Sequence, residues 1–242
     1  MPAYNEEENI KTVIEEWHPI VEKIGVNSKL IIVNDGSKDK TYQVANSLIE
    51  KYNRLIVLNK ENSGHGPTCL YAYKFALAEG ADYIFQTDSD GQTLPQDFWK
   101  FWESRHHYNL IIGSRNKRED GLSRVFVTKS LKIILFIIFG TYIQDANTPY
   151  RLMKRETLEV LIEKIPSDFF LANVLLSVLA RKEKEKVHWI PITFRPRQGG
   201  TNSINIKRII KIGFQAVREF KTLSKHGRDS VNGKNNSLAR KI

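Results

Sequence analysis

The sequence predicts an α/β fold with a mostly parallel sheet flanked by helices. Three observations point there. Short apolar runs alternate with amphipathic stretches along most of the chain. Several of the short runs end in loops rich in Asp, Asn, Ser and Gly, as strands do at the ligand-binding edge of such a sheet. Finally, 242 residues with 41% hydrophobic and 26% charged residues suit one large domain with a sizeable core.

Taken in order, residues 10–24 read as a helix, with Ile10, Val13, Ile14, Trp17 and Val21 on one face. Residues 30–33 form a short strand that ends at Asn34-Asp35-Gly36, and residues 41–52 a second helix. A strand follows at 55–58, then a helix at 67–79 ended by Gly80, a strand at 83–86 and another at 110–112. Later come an apolar helix at 131–139, a helix at 170–182, a strand at 187–194 and a basic amphipathic helix at 206–222. From Ser224 onward Gly, Asn, Ser, Lys and Arg dominate, which reads as a disordered basic tail. The organisation is therefore a folded domain over 1–205, an amphipathic helix over 206–223 and a tail over 224–242.

The pattern lacks a first strand. Pro2-Ala3-Tyr4-Asn5-Glu6 has the character of a loop that follows a strand, yet only Met1 precedes it. The expectation is an N-terminally shortened record, with a gap or a substitute segment beside strand 30–33, because a vacant place inside a sheet leaves backbone N–H and C=O groups unpaired.

The net charge of +10 calls for an anionic partner: nucleic acid, anionic lipid or a phosphorylated small molecule. Nucleic acid is disfavoured, because the basic residues gather in the last helix and tail without interleaved aromatic platforms. The longest apolar stretch, 133–143, is far short of the roughly 20 residues a bilayer crossing needs. The single cysteine, Cys69, excludes an intrachain disulfide and fits a reducing compartment.

The strongest chemical signal is Thr87-Asp88-Ser89-Asp90-Gly91-Gln92, directly after strand 83–86. Residues two apart in extended chain face the same way, so Asp88 and Asp90 present two carboxylates together. Such a pair repels itself unless a cation or proton lies between, and Mg²⁺ or Mn²⁺ prefers hard oxygen ligands of this kind. The plain alternative is an acidic turn bent at Gly91. A second signal is Asp35 at another strand end, followed by Gly36, Ser37, Asp39 and Thr41. Asp35 is suited to accept hydrogen bonds from a nucleobase, while the later three suit helix capping. A third is the turn-rich segment 61–68 before a helix, where small residues let backbone approach phosphate and His65 is a base, a ligand contact or a plain turn residue.

Pro2-Ala3-Tyr4-Asn5-Glu6, Val33-Asn34-Asp35-Gly36-Ser37-x-Asp39-x-Thr41, Asp88-Ser89-Asp90-Gly91-Gln92 and Gly113-Ser114-Arg115 occur in the order seen in family 2 glycosyltransferases. The chain resembles the branch that contains dolichyl-phosphate mannose synthase and the polyprenyl-phosphate sugar synthases. The segments Asp145 to Leu152, and Arg195-x-Arg197 through Gly200 and Ser203, resemble that branch's later motifs. Departures are Asn147-Thr148-Pro149-Tyr150 in place of a Ser-Gly-Phe-like turn, Asn173 near a common carboxylate position, and Asn205 where Lys is common.

The resemblance implies a single nucleotide-diphosphate-sugar-binding domain of the glycosyltransferase A type and an inverting, metal-dependent transfer of sugar. It places Pro2, Tyr4, Glu6 and Asp35 around the nucleoside, Asp88 and Asp90 around Mg²⁺ or Mn²⁺ and the diphosphate, and Gln92 near the donor sugar. Arg115, Arg195 and Arg197 would face phosphate charge. The acceptor is a polyprenyl phosphate or a cell-surface glycan. A glycan hydroxyl would need a general base, for which Asp145 is the candidate; a helix cap or a partner for Arg151 are its other readings. A non-catalytic nucleotide-sugar-binding protein is the alternative function. The helix over 206–222 carries Ile206, Ile209, Ile210, Phe214 and Val217 with Lys and Arg around them, which suits peripheral attachment to an anionic, cytoplasmic membrane face or packing against the core.

Overall fold

The computed structural model describes residues 1–115, 136, 137, 139, 140 and 143–196, with Arg115 described by its backbone alone. The expected helix at 206–222, the tail, Arg197, residues 200–205 and most of the expected helix at 131–139 lie outside the described residues. The chain divides into two compact units, 1–118 with 144–201, and 119–143 with 202–242. Every element below belongs to the first.

Among the described residues, seven strands form two sheets. In the first, β1 (Pro2–Ala3), β2 (Leu30–Asp35) and β3 (Leu55–Lys60) lie in the order β1-β2-β3, all parallel. The second has the order β4-β6-β5-β7, from β4 (Tyr83–Gln86), β5 (Leu110–Arg115), β6 (Arg151–Lys154) and β7 (Val187–Ile192). Here β5 and β7 are parallel, but β6 runs antiparallel to both β4 and β5. The expected parallel character therefore holds in the first sheet, whereas the second is mixed. The four residues of β6 escape a sequence reading because both faces are covered and Arg151, a charged residue, is fully buried in it.

Met1 to Ala3 lie along β2: the Met1 amino group donates to Ile31 O at 2.8 Å, and Val33 N–H donates to Met1 O at 2.9 Å. Only Pro2 and Ala3 pair as strand, and proline has no N–H to give. The hydroxyl of Ser89, just past β4, donates to Pro2 O at 2.8 Å, so the carboxyl ends of β1 and β4 meet at the acidic motif.

Six α-helices are described: α1 (Ile10–Ile24), α2 (Thr41–Asn46), α3 (His65–Ala78), α4 (Phe98–Ser104), α5 (Arg155–Ile162) and α6 (Ala172–Lys182). The face of α1 foreseen from its spacing is the buried one, with Ile10, Val13, Ile14, Trp17 and Val21 all in the core. Its carboxyl end is tied down by Arg54, whose guanidinium donates to Val21 O, Glu22 O and Gly25 O. Helix α3 begins at His65, two residues earlier than its proline suggests, which brings His65 and Gly66 into the first turn.

An aromatic cluster closes the core beneath the site. Phe85 of β4 lies 5.4 Å from Trp17, 5.0 Å from Phe98 and 4.7 Å from Tyr150, measured between ring centroids. These separations and tilts are those aromatic rings prefer, and each buried ring contributes roughly 1.5–3 kcal/mol. Tyr150, in the segment that departs from the Ser-Gly-Phe-like pattern, is thus a fully buried core aromatic. Its hydroxyl escapes the apolar cluster by donating to Leu94 O at 2.9 Å.

Candidate active site

The site is assembled from loops at the carboxyl ends of β1, β2, β3 and β4. The first two loops are sewn together. Thr41 Oγ1 accepts Glu6 N–H at 2.7 Å, Ser37 Oγ accepts Asn5 N–H at 3.0 Å, and Asp39 Oδ2 accepts Glu7 N–H at 3.1 Å. In return Asn5 Oδ1 accepts Lys38 N–H, and Glu7 Oε2 accepts Lys40 N–H. Ser37, Asp39 and Thr41 therefore do more than begin α2: they fix the conformation of residues 4–7. Asp39 also accepts the N–H and hydroxyl of Thr41. Burial alone would raise its carboxyl, but these donors outweigh that and hold it below the ordinary Asp value.

Of the four residues expected around a nucleoside, Tyr4 has an exposed side chain, while Pro2, Glu6 and Asp35 are buried. Glu6 accepts from Asn9 Nδ2 at 2.7 Å. Asp35 is engaged on both oxygens: Oδ1 accepts from Lys60 Nζ at 2.5 Å and Ser63 N–H at 2.9 Å, and Oδ2 accepts from Gly64 N–H at 2.9 Å. Burial pushes the carboxyl up, but the hydrogen bonds from Lys60, Ser63 and Thr68 and the Lys60 charge together hold it below its ordinary value. Asp35 is thus an ionised clamp that shapes loop 61–64. The sequence-based expectation of a side chain open to a nucleobase meets a carboxylate already occupied by this chain.

Gly36 is required by this packing. It has φ +62°, and a Cβ there would fall 2.6 Å from Asn62 N. Gly66 is tighter still. A Cβ would sit 2.2 Å from Phe170 O and 2.3 Å from Phe169 O, both backbone atoms that cannot swing aside. Gly66→Ala is expected to destabilise the fold by about 1–3 kcal/mol, visible as a lower denaturation midpoint; an unchanged midpoint would show that the amino end of α3 has freedom to shift.

After β4, the chain alternates in burial as a two-residue repeat requires: Thr87 and Ser89 are buried, Asp88 and Asp90 partly exposed. Thr87 Oγ1 and Thr93 Oγ1 meet at 2.6 Å and close the loop, and Asp90 Oδ1 accepts Gln92 N–H at 3.0 Å across Gly91, whose φ is +70°. Asp88 Oδ1 lies 3.0 Å from His65 Nε2. Among the described residues no three His, Cys, Asp or Glu side chains converge as a closed metal cage. The donor set on offer is instead two hard carboxylates at a partly exposed loop, which suits an ion that takes its remaining ligands from phosphate and water. The residues fit Mg²⁺ or Mn²⁺ on that ground.

Arg195 does not face open space. Its Nε donates to Gly91 O, one Nη donates to Glu16 Oε2 at 2.5 Å, and its backbone N–H donates to Gln92 O at 2.8 Å. It braces the acidic loop against α1, and this is where the structure places the arginine expected to face phosphate. Gln92 is held in the same brace through Nε2 to Arg195 O at 3.3 Å. The side chain of Arg115 and all of Arg197 lie outside the described residues.

Asp145 is buried at the start of the 145–150 turn. The inside of that turn is filled by Arg151, whose guanidinium donates to Ala146 O, Thr148 O, Asn173 O and Ser177 Oγ. Burial lowers its pKa, opposed by the nearby Tyr73, Cys69, Asp145 and Asp88. Arg151 went unrecognised as an organising residue, since nothing in its sequence position distinguishes a buried arginine from a surface one.

A polar chain runs inward from the acidic motif, from exposed His65 to buried Cys69, Gln86, Tyr73 and Asn173. His65 meets Asp88; Cys69 Sγ lies 3.8 Å from both nitrogens of that imidazole; Gln86 Nε2 donates to Cys69 Sγ at 3.3 Å; and the Tyr73 hydroxyl sits between Gln86 Oε1 and Asn173 Oδ1. One hydroxyl proton cannot serve both amides fully. Turning the Asn173 amide over lets its Nδ2, otherwise without a partner, donate to the Tyr73 oxygen. The Cys69 sulfur, opposed by burial and aided by the Asp88 carboxylate, holds the imidazole of His65 well above its ordinary pKa.

An α/β domain with two carboxylates in the loop after β4 suits a transferase that handles a phosphorylated donor with a divalent ion. The chain belongs to glycosyl transferase family 2, whose profile matches residues 1–161. It is similar to a dolichyl-phosphate β-glucosyltransferase of Trichomonas vaginalis, 28% identical over 90% of this chain and 71% of that protein. A UDP-N-acetylglucosamine–dolichyl-phosphate N-acetylglucosaminyltransferase of Methanococcus voltae is 29% identical over 79% of this chain and 82% of its own. A polyprenol monophosphomannose synthase of Mycolicibacterium smegmatis is 25% identical over 90% and 84%. Among solved structures, glucosyl-3-phosphoglycerate synthase of Mycobacterium tuberculosis, in complex with Mn²⁺, UDP-glucose and phosphoglyceric acid, superposes with a TM-score of 0.66 at 17% identity. That match covers 93% of this chain and 78% of the other, and shows the shared fold.

Proposed function

We propose that this chain is an inverting, metal-dependent glycosyltransferase that moves a sugar from a nucleotide diphosphate sugar to a polyprenyl phosphate. The observation that carries the reading is the pair Asp88 and Asp90, held at the end of β4 beside the nucleotide-type loops of β1 and β2. The three relatives described above, each named for a dolichyl or polyprenol acceptor or product, support the choice of acceptor.

In the proposed reaction an acceptor phosphate oxygen forms a bond to the anomeric carbon as the bond from that carbon to the donor diphosphate breaks. The nucleoside diphosphate leaves with the electron pair and the configuration inverts. A divalent ion bound by Asp88 and Asp90 would neutralise charge developing on the diphosphate. The protein's own contribution is positional. The braces from His65 to Asp88, from Gln92 N–H to Asp90, and from Arg195 to Gly91 fix the loop in advance. A phosphate acceptor is already ionised near neutral pH, so no strong base is required. The buried Asp145 then acts through the Arg151-filled turn. A panel of nucleotide sugars screened by thermal shift, with and without Mn²⁺, tests donor binding. A metal-dependent upward shift with one or more donors is expected, and no shift with any donor would count against the reading.

Among the described residues no helix is long and apolar enough to cross a membrane. We propose peripheral attachment to the cytoplasmic membrane face through residues 206–222. The full chain is expected to sediment with vesicles containing anionic lipid at low salt and to be released as salt rises, since the attraction of roughly 1 kcal/mol per basic residue reaches only about a Debye length, which shortens as salt is added. Equal binding to neutral and anionic vesicles would contradict the electrostatic part of this, and no binding to either would remove it.

A further inference from the structure

The acidic motif is not self-supporting. Asp90 is held from within its own loop by Gln92 N–H, but Asp88 is held from another element, through His65 in the first turn of α3. His65 is in turn fixed from behind. Gly66 packs against the backbone of Phe169 and Phe170, which sets the amino end of α3. Cys69, one helical turn on, places its sulfur equidistant from both ring nitrogens at 3.8 Å, so it bears on the ring, while Nε2 is the nitrogen that meets the Asp88 carboxylate at 3.0 Å. Gln86, buried at the end of β4, holds that sulfur at 3.3 Å and so ties the arrangement to the strand that carries the motif. By holding Oδ1, His65 sets the direction of Oδ2.

We infer that His65 is a positioning residue for divalent-metal binding: it aims the Asp88 carboxylate without being one of the ligands. This rests on the proposed metal-dependent reading. The physical ground is general. A carboxylate that ligates a metal is oriented by a hydrogen-bond donor behind it, and loss of that donor weakens metal binding about 10–100-fold. His65 is set by more than a helix start: Cys69 bears on its ring, and Gln86 of β4 holds the Cys69 sulfur.

The test is Mn²⁺ binding to the full chain, read from the free-ion signal in electron paramagnetic resonance, with no sugar donor present. His65→Ala is expected to weaken Mn²⁺ binding by about tenfold or more. His65→Gln, whose amide nitrogen reaches the place of Nε2, is expected to recover most of the affinity, and His65→Asn, which reaches only the place of Nδ1, is not. If the alanine variant does not fold, the contrast between Gln and Asn decides. Asp88→Asn separates the two levels of the argument. Wild-type Mn²⁺ binding by that variant would overturn the metal reading and this inference with it. Loss of binding in Asp88→Asn but not in His65→Ala, or equal loss in the Gln and Asn variants, would overturn the inference alone.

Discussion

Asp88→Ala and Asp90→Ala should each lower sugar transfer by about 10²–10³-fold, or roughly 2.7–4 kcal/mol of transition-state stabilisation, with the fold retained. Both side chains are partly exposed at a loop, so neither truncation opens a cavity in the core. The loop keeps its other ties: Thr87 to Thr93, Ser89 to Pro2 O, and Arg195 to Gly91 O. What is lost is negative charge where a divalent ion would meet the diphosphate. Turnover with saturating Mg²⁺ and Mn²⁺, set beside the thermal midpoint of each variant, checks this. Wild-type turnover in both variants would refute the metal assignment; a collapsed midpoint would show that the motif is structural.

Asp35→Ala should act through a different route, with a large loss of stability and of donor binding together. Removing this carboxylate leaves the Lys60 ammonium, largely buried beside it, and the N–H groups of Ser63 and Gly64 without their shared acceptor. The Lys60 ammonium keeps Glu61 O, Ser63 Oγ and Thr68 Oγ1 as acceptors, so the cost is about 1–3 kcal/mol, that of leaving the loop N–H donors unsatisfied. Loop 61–64, which leads into α3 and His65, would lose its shape, so donor affinity should fall more than the rate on bound donor. Asp35→Asn keeps an acceptor oxygen and should be milder. The same contacts set a pH dependence. The folded carboxyl lies below its ordinary value of 3.8, so its contribution to stability is complete above that value and is lost as pH falls further, through the folded pKa. Chemical denaturation of wild type and Asp35→Asn between neutral and strongly acidic pH would show the two curves converging at the acid end. An acid dependence identical in the two proteins would assign it to other carboxylates.

The parts of this architecture that repeat were legible in the sequence. Helix α1 announces its buried face through Ile10, Val13, Ile14 and Trp17, and β2 and β4 announce themselves by apolar runs that stop at Asp-containing loops. The motif Asp88-Ser89-Asp90 could be placed at a strand end because the alternation of an extended chain is local. The partners of side chains were not legible, because they come from far along the chain. Asp35 looked available until Lys60, Ser63 and Gly64, 25 to 29 residues away, proved to occupy it. The tie of Arg195 to Glu16, 179 residues away, is equally invisible in the local sequence. The strand β6 was hidden because its alternation is masked by burial on both faces, and Arg151 within it reads as a surface residue to any rule based on polarity.

The most direct test of the account is product analysis. The full chain, Mn²⁺, a donor identified by thermal shift and a short polyprenyl phosphate are incubated together, and the lipid fraction is read by mass spectrometry and by NMR of the anomeric centre. The account predicts a polyprenyl phosphate heavier by one sugar, with configuration opposite to that of the donor, absent without the divalent ion and absent in Asp88→Ala. A sugar-lipid formed at the same rate without metal, a retained anomeric configuration, or donor hydrolysis to free sugar with no lipid product would contradict it.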